Sequence, residues 1–215
     1  MPVTITEIAT VRTGSRVRVI SLDGEPWHTT AAPVIRELGI AEDDIVEAPA
    51  LAADLEAAER VAARERALAV LGYRERSVAE LRRKVLDDGY PSGIVDDVIA
   101  DLVRVGIVDD ARFAEAFVRS LSVGKKLGRR RIERELELKG ISPEVAAASL
   151  LEYCDPEDAP QRLLEAAQRL VRKGDRVDLL ASRLVRKGYG AGEAFAAARE
   201  TLAAMASDDD GFDVT

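Results

Sequence analysis

The sequence predicts a mainly α-helical protein, with three tandem three-helix repeats in an elongated array preceded by a small β-rich N-terminal segment. The main observation is a pattern that recurs three times. In it, two apolar residues four apart precede a glycine, and a large apolar or aromatic residue follows. The occurrences are Leu81, Val85, Gly89, Tyr90; Ile132, Leu136, Gly140, Ile141; and Leu180, Leu184, Gly188, Tyr189. The glycines lie 51 and 48 residues apart, which is close to the period of helical repeats. Aromatic residues make up only 4% of the chain, which favours close-packed helices.

The N-terminal part, residues 3–29, is predicted as a small β meander. Val17 and Val19 alternate with polar residues, as in a half-buried strand. The dipeptide Asp23-Gly24 is a strong hairpin signal, and Gly14 lies in a second predicted turn. A short helix over about residues 33–38 is expected to follow, and Pro49 to mark the boundary with the helical part.

Local signals mark the ends of the helices beyond that boundary. Ser77 with Glu80 forms a predicted capping box, and Ser142 before Pro143 predicts another helix start. The glycine of each repeat suits the left-handed residue that closes a helix. The pattern predicts helices over about 52–72, 77–88, 92–105, 110–122, 128–139, 143–153, 158–173, 176–187 and 191–205. The predicted segments are 1–50 (β hairpin or meander), 51–107, 108–155 and 156–206 (repeats one to three), and 207–215 (acidic disordered tail).

Composition and charge narrow the class of protein. No apolar run approaches the ~20 residues that span a bilayer, and the start lacks the order of a secretion signal, so we expect a cytoplasmic protein. The net charge is −8, but it is unevenly distributed, with seven acids and no bases over residues 40–59. Residues 125–139 instead hold seven bases against three acids. An acidic protein with basic stretches remains compatible with a nucleic-acid-associated partner.

Residues suited to catalysis are scarce. His28 is the only histidine and is expected to be a surface or half-buried ring, and the single Cys154 is expected to pack in a core. The segment around Gly124 lacks the upstream glycine and the strand of a phosphate-binding loop. Paired acids such as Asp87 and Asp88 are adjacent in sequence and point about 100° apart on a helix. We therefore expect no enzyme, no cofactor and no metal site.

Two basic clusters are the candidate binding residues. The first surrounds the start of a helix whose buried face is predicted to hold Ile132, Leu136 and Leu138, and the second spans two later helices. The candidates are Lys125, Lys126, Arg129, Arg130, Arg131, Arg134, Arg172, Lys173, Arg183, Arg186 and Lys187. Bases at a helix N-terminus oppose the helix dipole, which favours an anionic partner. Two alternatives stay open: neighbouring glutamates neutralise the first cluster, or the second holds the basic residues common near helix C-termini.

The ordered series of repeat residues resembles the RecX family, regulators of the RecA recombinase. The central repeat is similar through Phe113, Phe117, Gly128, Ile132, Glu135, Leu136, Gly140 and Ile141, and the first through Tyr73, Arg76, Ser77, Glu80, Leu81, Lys84, Gly89 and Tyr90. The likeness covers about residues 64–150, and the third repeat extends it to about 203. The β-rich start is similar to a leader that some longer members carry, and it departs from shorter members, so its role is the least defined.

A repeat chain that stacks on itself needs no second copy, so we expect a monomer. The resemblance implies a regulator that binds along the groove of the RecA–DNA filament, where it restrains ATP hydrolysis and strand exchange or limits filament growth. That places it in homologous recombination, DNA repair and the SOS response. The basic residues would then meet an acidic filament surface or DNA phosphate. Two rival classes remain: a helical module that binds naked DNA without the recombinase, and a general helical adaptor for some other protein.

Overall fold

In the computed structural model, which describes residues 1–155 and 157–209, the chain divides into two compact units that meet between Asp109 and Asp110. The first unit begins with strands and continues with helices. Its elements are β1 (Pro2–Thr10), β2 (Val17–Leu22), β3 (Glu25–Ala31), α1 (Ala32–Leu38), β4 (Ile45–Glu47), α2 (Ala48–Leu71), α3 (Val78–Asp87) and α4 (Ser92–Arg104). The predicted meander and short helix are therefore present. Helix α2 begins a few residues earlier than predicted, with Pro49 in its first turn.

The four strands form one antiparallel sheet in the order β3-β2-β1-β4. The predicted hairpin is confirmed, since Leu22 pairs with Glu25 across a turn in which Asp23 and Gly24 both have positive φ. Ile20 is fully buried in β2 and Ser21 and Leu22 are also buried, whereas Val17 and Val19 are only half-buried. The strand was therefore predicted correctly, but its more deeply buried face is the one that holds Ile20.

The sheet and the first three-helix repeat share a single hydrophobic core. Ile5, Ile20, Leu55 and Leu81 are all fully buried within it. At the end of α3, Gly89 has a φ of +101°, and a Cβ there would lie 3.1 Å from the Cα of Val17 and 3.2 Å from the carbonyl oxygen of Thr30. The repeat glycine therefore ends its helix and also allows the sheet backbone to approach closely.

A polar pair joins the sheet to α2 inside the first unit. Glu59 is 1% exposed, and its Oε1 lies 2.7 Å from Nε2 of His28 on β3. A buried carboxylate requires a partner, because removing it from water is costly unless a hydrogen bond replaces the lost hydration. The half-buried ring expected for His28 is confirmed, and its contact explains why that residue type stands there.

The second unit holds the other two repeats. Its elements are α5 (Asp110–Arg119), a π-helical turn (Ser120–Gly124), α6 (Arg129–Leu138), α7 (Pro143–Tyr153), α8 (Ala159–Leu170), α9 (Val177–Arg186) and α10 (Ala191–Asp209). Each repeat has its own core, one around Ile132 and Leu136 and the other around Leu180 and Leu184. Phe113 and Phe117, four residues apart on α5, stack with ring centroids 5.5 Å apart.

The predicted helix ends are largely confirmed. The backbone amides of Glu80 and Val145 donate to the hydroxyls of Ser77 and Ser142, as helix N-caps do. The closing glycines of all three repeats have positive φ. One prediction about α6 is wrong: Leu138 is 72% exposed. It lies about 200° around the helix from Leu136, so both cannot face the same core.

The mainly α fold with a small N-terminal sheet is confirmed. The division into five segments and the elongated arrangement of the repeats stay predictions. Helix α10 continues to Asp209, so it includes the first three residues of the predicted disordered tail, and residues 210–215 lie outside the described residues. Among the described helices, none is long and apolar enough to cross a membrane.

Replacement of His28 tests the polar pair. His28→Ala leaves the Glu59 carboxylate buried without its partner, so we expect the free energy of unfolding in urea to fall by about 2 kcal/mol. Glu56→Ala, on the exposed face of the same helix, is the matched control and should change it by less than about 0.5 kcal/mol. Equal losses in the two variants would show that the pair does not hold the sheet to α2.

Candidate partner-binding surface

The second and third repeats meet where two glycines face each other. Gly128 precedes α6 and Gly188 follows α9, and the amide of Gly128 donates to the carbonyl of Lys187 over 2.8 Å. A Cβ on Gly128 would lie 2.5 Å from the backbone of Gly188, and one on Gly188 would lie 2.6 Å from the amide nitrogen of Arg131. Only glycine at both positions allows this approach, which places the start of α6 against the end of α9.

Side chains from the third repeat hold the segment that leads into α6. The ammonium of Lys187 donates to the carbonyl of Lys125 over 2.7 Å, and the Tyr189 hydroxyl donates to the carbonyl of Lys126 over 3.0 Å. Burial raises the pKa of Tyr189 to about 12, so its hydroxyl stays a donor at neutral pH. Lys126 has a φ of +52°, a conformation that costs a non-glycine residue roughly 1 kcal/mol and that these contacts maintain.

Two of the predicted binding residues are instead engaged in internal ion pairs. The Lys126 side chain is 14% exposed and pairs with Glu165 of α8, which lowers the pKa of that carboxyl. The Arg183 side chain is 20% exposed, donates to both carboxylate oxygens of Asp175, and so lowers the pKa of Asp175. Because both bases are largely covered, their main contribution is to hold the third repeat and its junction together.

The arginines of α6 are far more accessible. Arg129 and Arg131 pair with Glu133 and Glu135 one turn further along the helix. Such exposed pairs contribute only a few tenths of a kcal/mol, so a partner can displace them. Arg130 and Arg134 are exposed and make no ion pair within the described residues. The neighbouring glutamates therefore neutralise only part of the first cluster.

Charge along α6 runs against its helix dipole. Its first turn holds Arg129, Arg130 and Arg131 and no acid, and its last turn holds no base. The equivalent helices α3 and α9 both have an acid in the first turn and a base in the last. Gly128 also provides no capping side chain. The amide of Arg131 donates to the carbonyl of Gly128, and the amides of Arg129 and Arg130 have no acceptor among the described residues. This arrangement costs helix stability, and it suits an anion at the start of α6.

The remaining candidates divide between the two ends of α9. Arg186 and Lys187 lie at its C-terminal end, next to α6. Arg172 and Lys173 lie in the loop that precedes α9, because α8 ends at Leu170 and not near residue 173 as predicted. A helix of ten residues is about 15 Å long, so the structure places this pair away from the junction with α6.

We define the basic surface as the accessible bases that the glycine contact gathers. Its members are Lys125, Arg129, Arg130, Arg131, Arg134, Arg186 and Lys187. All of these bases were predicted from the sequence, but as two separate clusters, and Glu165 and Tyr189 were not predicted as supporting residues. A usable signal was Gly128, a glycine at the start of α6 where a capping side chain is expected, because glycine there allows a close backbone approach.

Other chemical sites find no support in the described residues. Cys154 is 2% exposed in the core of the second repeat, and burial raises the pKa of its thiol, so the packing role is confirmed. No group of three or more histidine, cysteine, aspartate or glutamate side chains in that part of the chain is arranged to hold a metal ion.

Comparison with known proteins agrees with this architecture. The family model "RecX, first three-helix domain" matches residues 63–102, and "RecX, second three-helix domain" matches residues 109–150. "Regulatory protein RecX" of Pelodictyon phaeoclathratiforme is 35% identical over 147 residues, which cover 67% of this chain and 91% of that one. The protein of the same name from Corynebacterium efficiens is 31% identical over 161 residues, which cover 69% and 76% of the two chains. This chain belongs to the RecX family.

Solved RecX structures share the fold. "Crystal structure of regulatory protein RecX" has a TM-score of 0.59 and 22% sequence identity, and the match covers 89% of this chain and 96% of that chain. RecX from Lactobacillus salivarius has a TM-score of 0.58 and 20% identity, with coverage of 67% and 97%. At this level of identity the likeness shows the fold alone. The relatives' printed name is that of a regulatory protein, which agrees with the scarcity of catalytic residues.

Substitution of Gly188 tests the contact between the repeats. Gly188→Ala introduces a Cβ that overlaps the backbone of Arg131 at a residue with positive φ, so we expect the free energy of unfolding to fall by about 3 kcal/mol. Gly174→Ala is the matched control, because Gly174 has a similar φ of +79° and open space around it. It should cost only about 1 kcal/mol. A similar loss of unfolding free energy in both variants would show that the close backbone approach does not explain why position 188 is a glycine.

Proposed function

We propose that this chain binds the RecA–DNA nucleoprotein filament and negatively modulates the recombinase's ATP hydrolysis and strand exchange. Membership of the RecX family, whose relatives are named regulatory proteins, supports a regulatory role. The observation that carries the choice of partner is the exposed arginine cluster on α6. The second helices of the three repeats are α3, α6 and α9, and among them α6 is the one whose charges oppose its dipole. That arrangement favours an anionic surface as the partner.

The proposed mechanism requires no chemistry from this chain. A bound regulator changes an equilibrium only by as much as it prefers one state of its partner over another. Binding to a filament state that hydrolyses ATP slowly would therefore lower turnover without a catalytic residue. Several repeats, each with its own exposed helices, would add weak contacts with neighbouring filament subunits and so raise avidity. We propose that a monomer does this in the cytoplasm.

Naked DNA is the alternative partner. The uncapped first turn of α6 combines free backbone amides with arginine side chains, and both are ligands for phosphate. A DNA-binding module would bind duplex or single strand without the recombinase, and its affinity would fall steeply with salt. A regulator of the filament would need the recombinase to be present.

Charge reversal on α6 tests the proposal. Arg130 and Arg134 make no ion pair within the described residues, so Arg130→Glu with Arg134→Glu should leave the helix intact while replacing attraction by repulsion. We expect half-inhibition of DNA-dependent RecA ATPase to require at least about tenfold more of the variant protein.

The matched control changes net charge equally in the first unit. Arg12→Glu with Arg36→Glu reverses two exposed bases outside the basic surface and should inhibit like the unmodified chain. The proposal fails if the unmodified chain leaves ATPase unchanged at saturating amounts. Equal inhibition by both double variants would show that α6 does not make the contact.

A further inference from the structure

A groove lies between α6 and α7. Its α6 wall carries Arg129, Arg130 and Arg134 together with Glu133 and Glu137, and Glu133 pairs with Arg129. Its floor is apolar, with Ile141 and Leu150 both buried. The volume of the groove is about 620 Å³. An apolar floor beside exposed arginines allows one groove to bind a ligand both by burying apolar surface and by attracting negative charge.

The residue seven positions after the closing glycine differs among the three repeats. It is Asp96 in the first repeat, Ala147 in the second and Phe195 in the third. Asp96 accepts two hydrogen bonds from Arg82 of α3, over 2.6 and 3.1 Å, so an ion pair bridges α3 and α4. The third repeat places a phenyl ring at this position. The second repeat has only a methyl group.

The residue six positions after the closing glycine is also less buried in the second repeat than in the other two. Val95 and Ala194 are fully buried in the first and third repeats, whereas the equivalent Ala146 is only half-buried and lines the groove. A side chain from outside the chain could cover Ala146 to the extent that Val95 and Ala194 are covered within their own repeats. Placing it there would remove apolar surface from water, at roughly 25 cal/mol for each Å².

The arginines specify the charge of what lies beside that side chain. Arg130 and Arg134 are one turn apart, about 6 Å along the helix axis, and neither makes an ion pair within the described part of the chain. Carboxylates one turn apart on a helical segment match this spacing. Phosphates of a nucleic acid would satisfy the arginines but leave the apolar floor uncovered.

We infer that the α6–α7 groove binds a segment of a partner protein in which an apolar side chain is flanked by carboxylates. The inference deepens the proposed function and rests on it for the partner, since it assigns the arginines of α6 to a protein surface of the filament. The apolar side chain lies over Ala146 and Ala147, and the carboxylates bind Arg130 and Arg134. The chemistry is that of an acidic amphipathic helix in a groove.

The test uses two synthetic helical peptides of about 12 residues, one with leucine flanked by glutamates and one with serine in place of the leucine. Fluorescence anisotropy measures their binding to the full chain, with a single-stranded oligonucleotide as a third probe. Ala147→Phe places the third repeat's residue in the groove, and we expect about tenfold weaker binding of the leucine peptide. Arg130→Glu with Arg134→Glu should weaken it at least as much.

Ala148→Phe is the matched control, because Ala148 is the next residue of α7 and lines a different groove, on the α5 side. It should leave peptide binding unchanged, and circular dichroism should show that both phenylalanine variants keep their helix content. The inference is overturned if the leucine and serine peptides bind equally, or if Ala147→Phe binds the leucine peptide like the unmodified chain. It is also overturned if only the oligonucleotide binds.

Failure of the proposed function gives a different result. If the chain binds the leucine peptide through the groove but leaves RecA ATPase unchanged, the groove is a binding site but the recombinase filament is not its partner. If the Ala147→Phe variant inhibits the ATPase as strongly as the unmodified chain, the proposed function stands but the groove does not take part in it.

Discussion

The backbone contact between Gly128 and Gly188 sets the position of the basic surface in the second unit. It places the end of α9 against the start of α6, so Arg186 and Lys187 join the bases of the first cluster although they lie far apart in the sequence. Lys126 is held in a left-handed conformation beside it by Glu165 and Tyr189. A side chain on either glycine would overlap the backbone opposite, so this geometry depends on two absent Cβ atoms.

The three repeats share a fold but differ in the contacts that they make. In the first, the closing Gly89 contacts the N-terminal sheet, which shares the core of that repeat. In the third, Gly188 receives the helix of the preceding repeat. The second repeat gives up favourable helix charges at α6 and leaves Ala146 half-covered. Both features lower local stability, and both lie at the groove between α6 and α7. This is expected of a surface selected for binding.

Periodicity and caps in the sequence predicted most of the fold, because they depend on neighbours within one or two turns. The closing glycines and the cap at Ser142 are of this kind. The exposure of Leu138 was missed because a single residue's position around the helix outweighs its hydrophobicity. The ion pair of Lys126 with Glu165 joins residues 39 apart, and no local pattern encodes such a contact. The candidate surface was therefore found as a set of bases, and its assembly required the structure.

Hydrogen exchange at the amide of Gly128 tests the central contact most directly. This amide precedes α6 and has no bond within its own repeat, but it donates to Lys187 across the junction. We expect its exchange to be slowed to a rate comparable with that of buried helical amides such as Leu136. Exchange as fast as that of an exposed loop amide, with Leu136 still protected, would show that the two glycines are not in stable contact.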